Sequence, residues 1–330
     1  MNYSIPKLGV ILLLFLLFGV SSTSAQLYAT DSSYNYVAVY NKADDGNVSA
    51  QQTIIGPDTG IQGPMGIAAD ADSLYVVQFS SSPQSVTVYE QNADGNVAPL
   101  RTISGAATLL NNPFGLAVDR NFIYVANQGG CTLTVYNLRD TGEVVPVRTL
   151  SGDQTRLGVP NEGGPAGVAV DANYIYVVRP ATNALLVYTI TADGNVAPVR
   201  VVSGDLTGMH FPYGIAVDET SLYVANHNSS ITVYNLTDNG NVAPIRTISG
   251  DLTGLVKSQG IAVDSDFIYV ANGWGANIPV FNLTDNGNVV PVRSITSISS
   301  PSGVAVYSPK AFQAGQWNLF LPAIIKGQQK

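Results

Sequence analysis

Side chains that could carry out chemistry are few in this sequence of 330 residues. It contains two histidines, His210 and His227, and one cysteine, Cys131. No Ser-His-Asp series stands out, and two histidines are too few for the several ligands of a zinc lyase. A lone cysteine forms no internal disulfide, and a small apolar role suits it better than a catalytic one. We therefore assign no catalytic and no metal-binding residue.

The elements that must position these side chains repeat along the chain. A pentapeptide of the form Gly-x-Ala-[Val/Ala]-Asp recurs every 46 to 52 residues, and a variant, Gly303–Tyr307, follows 43 residues after the last copy. Each copy begins a unit of four runs rich in Val, Ile, Tyr and Thr, which are typical of strands. Asn-Gly or Asp-Gly usually precedes the fourth run, as in a hairpin. Each unit is predicted to contain four antiparallel strands, here named a to d.

Four strands in a period of about 45 residues indicate the blade of a β-propeller. The first unit starts at Leu27 with strand b, and the last ends after strand a at Gly303–Tyr307. The fold class is therefore predicted to be all-β, a six-bladed propeller over residues 26–307. Strand 303–307 would complete the N-terminal blade and remove the free sheet edges of an open array.

The units resemble NHL repeats over residues 27–307. The segments that carry the resemblance are "GIAVDETSLYVANHNSSITVYNL" and "GLAVDRNFIYVANQGGCTLTVYNL". The resemblance implies a six-bladed propeller. It leaves the function open, because propellers of this type include extracellular binders, lactonases, lyases and RNA-binding modules.

Residues that recur in every unit are interpreted as structural. The tyrosines of strand b and the aromatic residues of strand c are predicted to pack between blades. The Asp that closes strand a is expected to accept N–H groups of the next turn, and the Arg of strand d to pack at the outer strand. The c–d turns, such as "TDNGN", lack the spacing of an EF-hand loop and are interpreted as hairpin turns.

Departures from the repeat point to a functional surface. The b–c and d–a connections share one face of a propeller, which we call the top face. The ligand-binding residues predicted there are Asp31, Gln78, Asn127, Arg179, Tyr213, Asn226, His227, Asn272 and Trp274. Blades 1 and 4 are opposite, so Asp31 and Arg179 are expected to face each other across the channel mouth. Phe114 and His210 belong to the same face.

Two functions are compatible with this face. The favoured one is a non-catalytic propeller that binds a glycan or a protein. The alternative is a metal-dependent hydrolase resembling gluconolactonase-type lactonases, in which oxygen ligands hold the metal in the channel. That resemblance implies an acidic residue where this chain has Pro301 and Ser302. No cofactor is expected under the first function, whereas calcium at the channel mouth, near Asp31, belongs to the second.

The ends of the chain indicate export. Residues 1–25 read as a signal peptide, with 13 apolar residues before a small-residue cleavage site. Removing them also removes Lys7, which makes the net charge one unit more negative than −8. An acidic chain with scattered Lys and Arg is not expected to bind nucleic acid. Residues 308–330 form a tail, and its apolar stretch is too short to span a bilayer. We expect a secreted or cell-surface protein with an extracellular partner.

Overall fold

A computed structural model describes residues 26–159 and 162–307 of the chain. The predicted signal peptide, 1–25, and tail, 308–330, lie outside the described residues. The described chain forms six four-stranded antiparallel sheets arranged in a ring, which confirms the six-bladed propeller. No helix in these two ranges is long and apolar enough to cross a membrane.

The blades are numbered by their strand b in chain order. The innermost strands, a, from blade 1 to blade 6, are Pro301–Tyr307, Pro64–Ala69, Pro113–Val118, Val168–Val170, Pro212–Val217 and Ser258–Val263. Strands b are Gln26–Asp31, Ser73–Gln78, Phe122–Asn127, Tyr174–Arg179, Ser221–Asn226 and Phe267–Asn272. Strands c are Tyr36–Asn41, Ser85–Glu90, Thr132–Asn137, Ala184–Thr189, Ser230–Asn235 and Ile278–Asn282. Strands d are Gln52–Ile54, Arg101–Ser104, Arg148–Leu150, Arg200–Val202, Arg246–Ser249 and Arg293–Ile295. Short 3-10 helices are Pro57–Thr59, Ala106–Thr108, Asp153–Thr155, Pro180–Thr182 and Asp251–Thr253.

The two ends of the described chain meet in blade 1. Pro301–Tyr307 pairs antiparallel with Gln26–Asp31, in a register that places Tyr307 opposite Gln26 and Pro301 opposite Asp31. The closing strand thus begins two residues before the predicted Gly303. Closure by a strand from the far end of the chain completes the sheet of blade 1 and leaves no blade with an exposed inner edge.

The apolar core lies between neighbouring blades. The twelve largest fully buried side chains are the aromatic residues of strands b and c, two from each blade: Tyr28, Tyr40, Tyr75, Tyr89, Tyr124, Tyr136, Tyr176, Tyr188, Tyr223, Tyr234, Tyr269 and Phe281. The hydroxyl of Tyr136, on strand c, donates to the Thr108 carbonyl at 2.6 Å. A buried tyrosine thus fills the core and also fixes the connection above it, which confirms the packing role predicted for these residues.

The recurring Asp and Arg residues have the structural roles predicted from the repeat. In blade 3, Asp119 accepts the backbone N–H groups of Asn121 and Phe122 through Oδ1, and the hydroxyl of Tyr124 through Oδ2 at 2.7 Å. The guanidinium of Arg148 lies 4.9 Å from the ring centroid of Phe122. These groups organise the a–b turn and cover it, so they are not free to bind a ligand.

The c–d turns do more than reverse the chain. Gly95, with φ of +72°, donates its N–H to the Thr53 carbonyl of the preceding blade at 2.8 Å. Asp94 accepts the Thr53 N–H at 2.9 Å. A backbone bridge at the turn glycine joins each pair of neighbouring blades. The backbone thus links the blades at the outer rim, where the positive φ favours glycine.

A ring of glycines brings the innermost strands into close contact. Each blade contributes one glycine, within strand a or, in blade 4, immediately before it: Gly66, Gly115, Gly167, Gly214, Gly260 and Gly303. A Cβ atom on Gly66 would lie 2.6 Å from the Phe114 carbonyl oxygen and 2.9 Å from the Leu116 nitrogen, both of the next blade. The other five would meet the backbone of the next strand a in the same way. Only glycine permits this approach, which is why the pentapeptide begins with it.

The closing strand generates a first prediction. We expect a chain that ends at residue 300 to lose its cooperative unfolding transition, because blade 1 loses strand a and its neighbours lose their packing partner. A chain that ends at residue 307 should keep the transition of the full chain. Thermal unfolding followed by circular dichroism compares the two truncations. Equal midpoints for both would contradict closure by Pro301–Tyr307.

The glycine ring generates a second prediction, tested by two opposite changes in one strand. Gly66→Ala should lower the free energy of unfolding by about 2–3 kcal/mol, because the new methyl group meets backbone atoms that cannot move aside. Ala68→Gly, two residues further along, should cost only about 0.5–1 kcal/mol. Urea unfolding measures both. A smaller loss for Gly66→Ala than for Ala68→Gly would contradict the close contact.

Candidate functional site

The central channel offers no room for an organic ligand. Its top end is a cavity of about 60 Å³ lined by the six glycines, the Ile, Leu or Val that follows each of them, and Phe114, Tyr213, Gln259 and Ser302. The bottom end is lined by Val, Ala, Ile and Leu side chains alone. Ligand pockets usually enclose roughly 300–1,000 Å³ with a few convergent polar groups. The channel is therefore a structural axis, and a binding site must lie on a face of the ring.

Aromatic rings cover the top of the channel. The rings of Phe114, in blade 3, and Tyr213, in blade 5, lie 5.3 Å apart and line the cavity below. They meet above blade 4, where the corresponding residue is the small, fully buried Ala166. The Tyr213 ring also lies 5.3 Å from that of His227. Phe114, Tyr213 and His227 thus form one aromatic cluster on the top face.

His227 has an environment suited to a general base. Partial burial, together with the nearby charges of Lys257 and His210, lowers the pKa of the His227 imidazole below its usual 6.5. Within the described chain, its backbone N–H donates to the Phe211 carbonyl at 3.1 Å, and neither ring nitrogen forms a hydrogen bond. The lowered pKa favours the neutral imidazole, which has a lone pair available to accept a proton.

His227 has neighbours that the sequence did not single out. The ring of His210 lies 5.1 Å from that of Phe211, a residue held at φ of +49° with about half of its surface exposed. Lys257 also has a positive φ, of +52°, and its N–H donates to the Ser229 hydroxyl of the preceding blade at 3.1 Å. The same positive φ occurs just before strand a in blades 2 and 3, at Gly63 and Asn112, so this conformation belongs to the repeat.

The polar residues that end strand b do not surround the channel as we expected. Gln78, Asn127, Asn226 and Asn272 are fully buried. The side-chain oxygen of each accepts a backbone N–H of the d–a connection, from Gln62, Asn111, His210 and Val256 respectively. They hold the top-face connections onto the blades. Their predicted contact with a ligand stays a prediction, and any such contact would be indirect, through the connections that they fix.

Asp31 and Arg179 do not face each other across the channel mouth. Asp31 is fully buried and accepts four backbone N–H groups, those of Ser33, Tyr34, Ser299 and Ser300, at 2.9 to 3.1 Å. These use the full acceptor capacity of a carboxylate. Arg179 donates to the carbonyls of Gly163 and Arg156. Asp31 and Arg179 each bind backbone groups of the connections next to their own strand. Our expectation that the two side chains face each other is therefore wrong.

The oxygen atoms expected to hold calcium are thus committed to backbone donors. In the ranges that the structure describes, no three His, Cys, Asp or Glu side chains converge as metal ligands. Asp31 and the three asparagines do not fit a calcium ion in this arrangement.

Two further residues considered for a functional role, Trp274 and Cys131, lie outside the aromatic cluster. Trp274 is 75% exposed at the b–c turn of blade 6, in a position that suits contact with a large ligand. Cys131 is 4% exposed, and burial raises the pKa of its thiol, despite the opposing effect of Arg179. A buried thiol with a raised pKa is a poor nucleophile at neutral pH, so Cys131 has the structural role predicted for it.

The fold and the top face define a six-bladed β-propeller with an aromatic cap and a partly buried histidine over a narrow channel. A family model described as "Lactonase, 7-bladed beta-propeller" matches residues 30–300. The chain therefore belongs to this lactonase propeller family, although it has six blades rather than seven. No curated protein matches the chain.

Solved structures share the architecture at low sequence identity. A protein of unknown function from Desulfotomaculum acetoxidans is 12% identical, with a TM-score of 0.60, over 87% of this chain and 100% of its own. A chain of a nidogen–laminin complex is 14% identical, with a TM-score of 0.60, over 86% and 98%. A proposed 6-phosphogluconolactonase from Bacteroides fragilis is 15% identical, with a TM-score of 0.56, over 87% and 99%. At these identities the similarity shows the fold alone.

Family membership corrects our functional prediction. The favoured function, non-catalytic binding through the top face, is contradicted by the lactonase match, which supports the hydrolase alternative. The sequence did not indicate this function because it contains no linear catalytic motif, and catalytic groups are recognised by their geometry rather than by their sequence positions.

The clamp at Asp31, that is, its hydrogen bonds to four backbone N–H groups, generates a third prediction. Asp31→Ala should lower the free energy of unfolding by about 2–3 kcal/mol, because four N–H groups lose a charged acceptor and the chain ends come apart. Asn127→Ala, the matched change in blade 3, should cost only about 1 kcal/mol. Urea unfolding distinguishes them. An Asp31→Ala chain as stable as the wild type would show that the carboxylate is not the clamp.

Proposed function

We propose that the protein hydrolyses a lactone at its top face, with His227 as general base. The observation that carries this proposal is the position of the partly buried His227 imidazole, 5.3 Å from the Tyr213 ring at the top of the channel, in a chain of the lactonase family. Tyr213 and Phe114 supply an apolar floor on which a ring-shaped substrate can lie. Lys257, in the next blade, supplies a positive charge close enough to lower the pKa of His227.

The chemistry follows from these groups. The His227 imidazole removes a proton from a water molecule, whose oxygen attacks the lactone carbonyl carbon. Negative charge develops on the carbonyl oxygen, and the Lys257 ammonium stabilises it. The tetrahedral species then expels the ring oxygen, which takes the proton from the imidazolium. The product is a hydroxy acid that ionises at neutral pH, so each turnover releases one proton.

The expected substrate is a sugar lactone or one of similar size. An aromatic floor favours the face of a ring, and the polar connections around it suit hydroxyl groups. The structural neighbour named as a 6-phosphogluconolactonase makes a phosphorylated sugar lactone one candidate. Of the two, the unphosphorylated lactone suits the acidic net charge of the chain better.

We also propose, from the sequence, that the protein acts outside the cell. The signal-peptide pattern of residues 1–25 supports export, and the NHL-like repeats occur in extracellular propellers. Under this proposal the lactone is an extracellular compound, the protein is secreted or held at the cell surface, and nucleic acid is not a partner. A protein or glycan partner would contact the exposed Trp274.

The role of His227 generates a fourth prediction. In a pH-stat assay with δ-gluconolactone and its 6-phosphate, the wild type should release acid faster than the uncatalysed reaction. His227→Gln should lower kcat/KM by roughly 10²–10⁴, the usual contribution of a general base. For the wild type, kcat/KM should rise with pH through a value below about 6.5, because the imidazole must be neutral and its pKa is lowered.

The other histidine is the matched control. His210→Gln should remain active, and the acid limb of its pH profile should move to higher pH, because one charge that lowers the pKa of His227 is gone. Unchanged activity in His227→Gln would contradict the assigned base. Absence of lactone hydrolysis by a folded wild type would contradict the function itself.

A further inference from the structure

One blade interface lacks a side chain that the other blades share. Strand d begins with arginine in blades 2 to 6, at Arg101, Arg148, Arg200, Arg246 and Arg293. In blade 1 the corresponding residue is Gln52. The repeat thus provides an internal comparison, in which five interfaces hold a guanidinium group and the interface between blades 1 and 2 does not.

The arginines show what a guanidinium does at this position. Arg101 donates to the Leu138 carbonyl, and Arg148 donates to the Ile190 carbonyl, in each case on the c–d turn of the next blade. In blades 3, 4 and 6 the guanidinium also lies over the aromatic residue that begins strand b, at 4.3 to 4.9 Å from the ring centroid. Arg101 and Arg148 therefore bridge two blades at the bottom face, the face formed by the a–b and c–d turns.

Gln52 makes a shorter, uncharged bridge to the next blade, to the carbonyl of Asn92 rather than that of Gln91. Its amide nitrogen donates to the Asn92 carbonyl at 2.9 Å, whereas its amide oxygen is buried without a hydrogen-bond partner. The backbone carbonyl of Gln91 stands at the same position in the repeat as the Leu138 and Ile190 carbonyls, which accept from Arg101 and Arg148. A glutamine is shorter than an arginine and carries no charge, so the space between the two blades stays open.

The open space is a groove of about 760 Å³. Blade 1 contributes Gln26, Asn41, Gln51 and Gln52 to its lining, and blade 2 contributes Ala71, Asp72, Ser73, Glu90, Gln91, Asn92 and Leu100. The lining includes two carboxylates, Asp72 and Glu90, and no Lys or Arg. The amide and carbonyl oxygens of the lining can accept hydrogen bonds. They lie at the level where the other blade interfaces hold the guanidinium of a strand-d arginine. The groove is therefore complementary to a positively charged hydrogen-bond donor.

Two other departures from the repeat lie at the same corner. Tyr307 stands where the other blades end strand a with Asp, and Gln26 begins strand b where Phe122, Tyr174 and Phe267 begin theirs. The Tyr28 hydroxyl accordingly donates to Gln26 at 2.6 Å instead of to an Asp. Gln26 and Gln52 both line the groove, which lies on the face opposite His227.

We propose that the groove between blades 1 and 2 binds a guanidinium-bearing ligand, an arginine derivative or an arginine side chain of a peptide. The ligand guanidinium takes the position that the strand-d arginine has in the other blades. It donates to the Gln91 carbonyl and is held by the charges of Asp72 and Glu90. This site is separate from the lactone site and is independent of the proposed reaction.

Calorimetric titration of the full chain with N-acetylarginine amide tests the proposal. We expect binding that weakens as salt rises, because exposed carboxylates contribute to it. N-acetylcitrulline amide, which is uncharged and nearly the same shape, should bind roughly tenfold more weakly or not at all. A short Gly-Arg-Gly peptide identifies the source: tighter binding than the amide indicates a peptide ligand, and equal binding indicates a small arginine derivative.

Gln52→Arg is the decisive variant. It restores the residue found in the other blades, so it should fill the groove, raise the thermal midpoint and abolish binding of the amide. Glu90→Gln should weaken binding about two- to fivefold. Glu219→Gln removes an exposed carboxylate from the a–b turn of blade 5, on the same face, and should leave the affinity unchanged.

Three results would overturn the proposal. The first is no binding of the amide by the wild type at millimolar concentration. The second is equal binding of the arginine and citrulline amides. The third is full retention of binding by a folded Gln52→Arg chain, which would place the ligand elsewhere.

Discussion

The structure depends on the close contact of six backbone segments at the propeller axis. Each glycine of strand a leaves space for the backbone of the next strand a, and a Cβ at any of these positions would meet main-chain atoms. This contact draws the blades together and narrows the channel to a cavity of about 60 Å³. It also determines where chemistry can occur. Because the axis is narrow and lined mainly by glycine and aliphatic residues, the candidate site lies above it, on connections that the blades hold in place.

Buried polar groups give those connections their fixed positions. Gln78, Asn127, Asn226 and Asn272 each hold a d–a connection through one backbone N–H, and Asp31 holds the chain ends in the same way. A buried amide without a partner would be costly, so each connection is held in one conformation. His210 is attached directly by Asn226 and stands beside the His227 cluster. The repeat thus provides a rigid frame, and the proposed reactive residues stand singly on its top face.

The sequence predicted the repeating part of the molecule well. Strand periodicity, the Asn-Gly and Asp-Gly turns and the orphan strand at Gly303–Tyr307 led to six blades and to the correct closure. The polar residues at the ends of strand b could not be interpreted in the same way, because a side chain at a strand end can turn towards the channel or towards its own connection. Only the positions of the N–H donors distinguish the two. Lys257 was missed because proximity to His227 arises between blades.

A crystal structure of the protein with a lactam analogue of the substrate, which has the ring but resists hydrolysis, tests the central claim most directly. The account predicts that the analogue lies on the Phe114 and Tyr213 rings, with its carbonyl carbon within reach of a water molecule bound to His227. Electron density for the analogue inside the channel, below the glycine ring, or on the bottom face would contradict it.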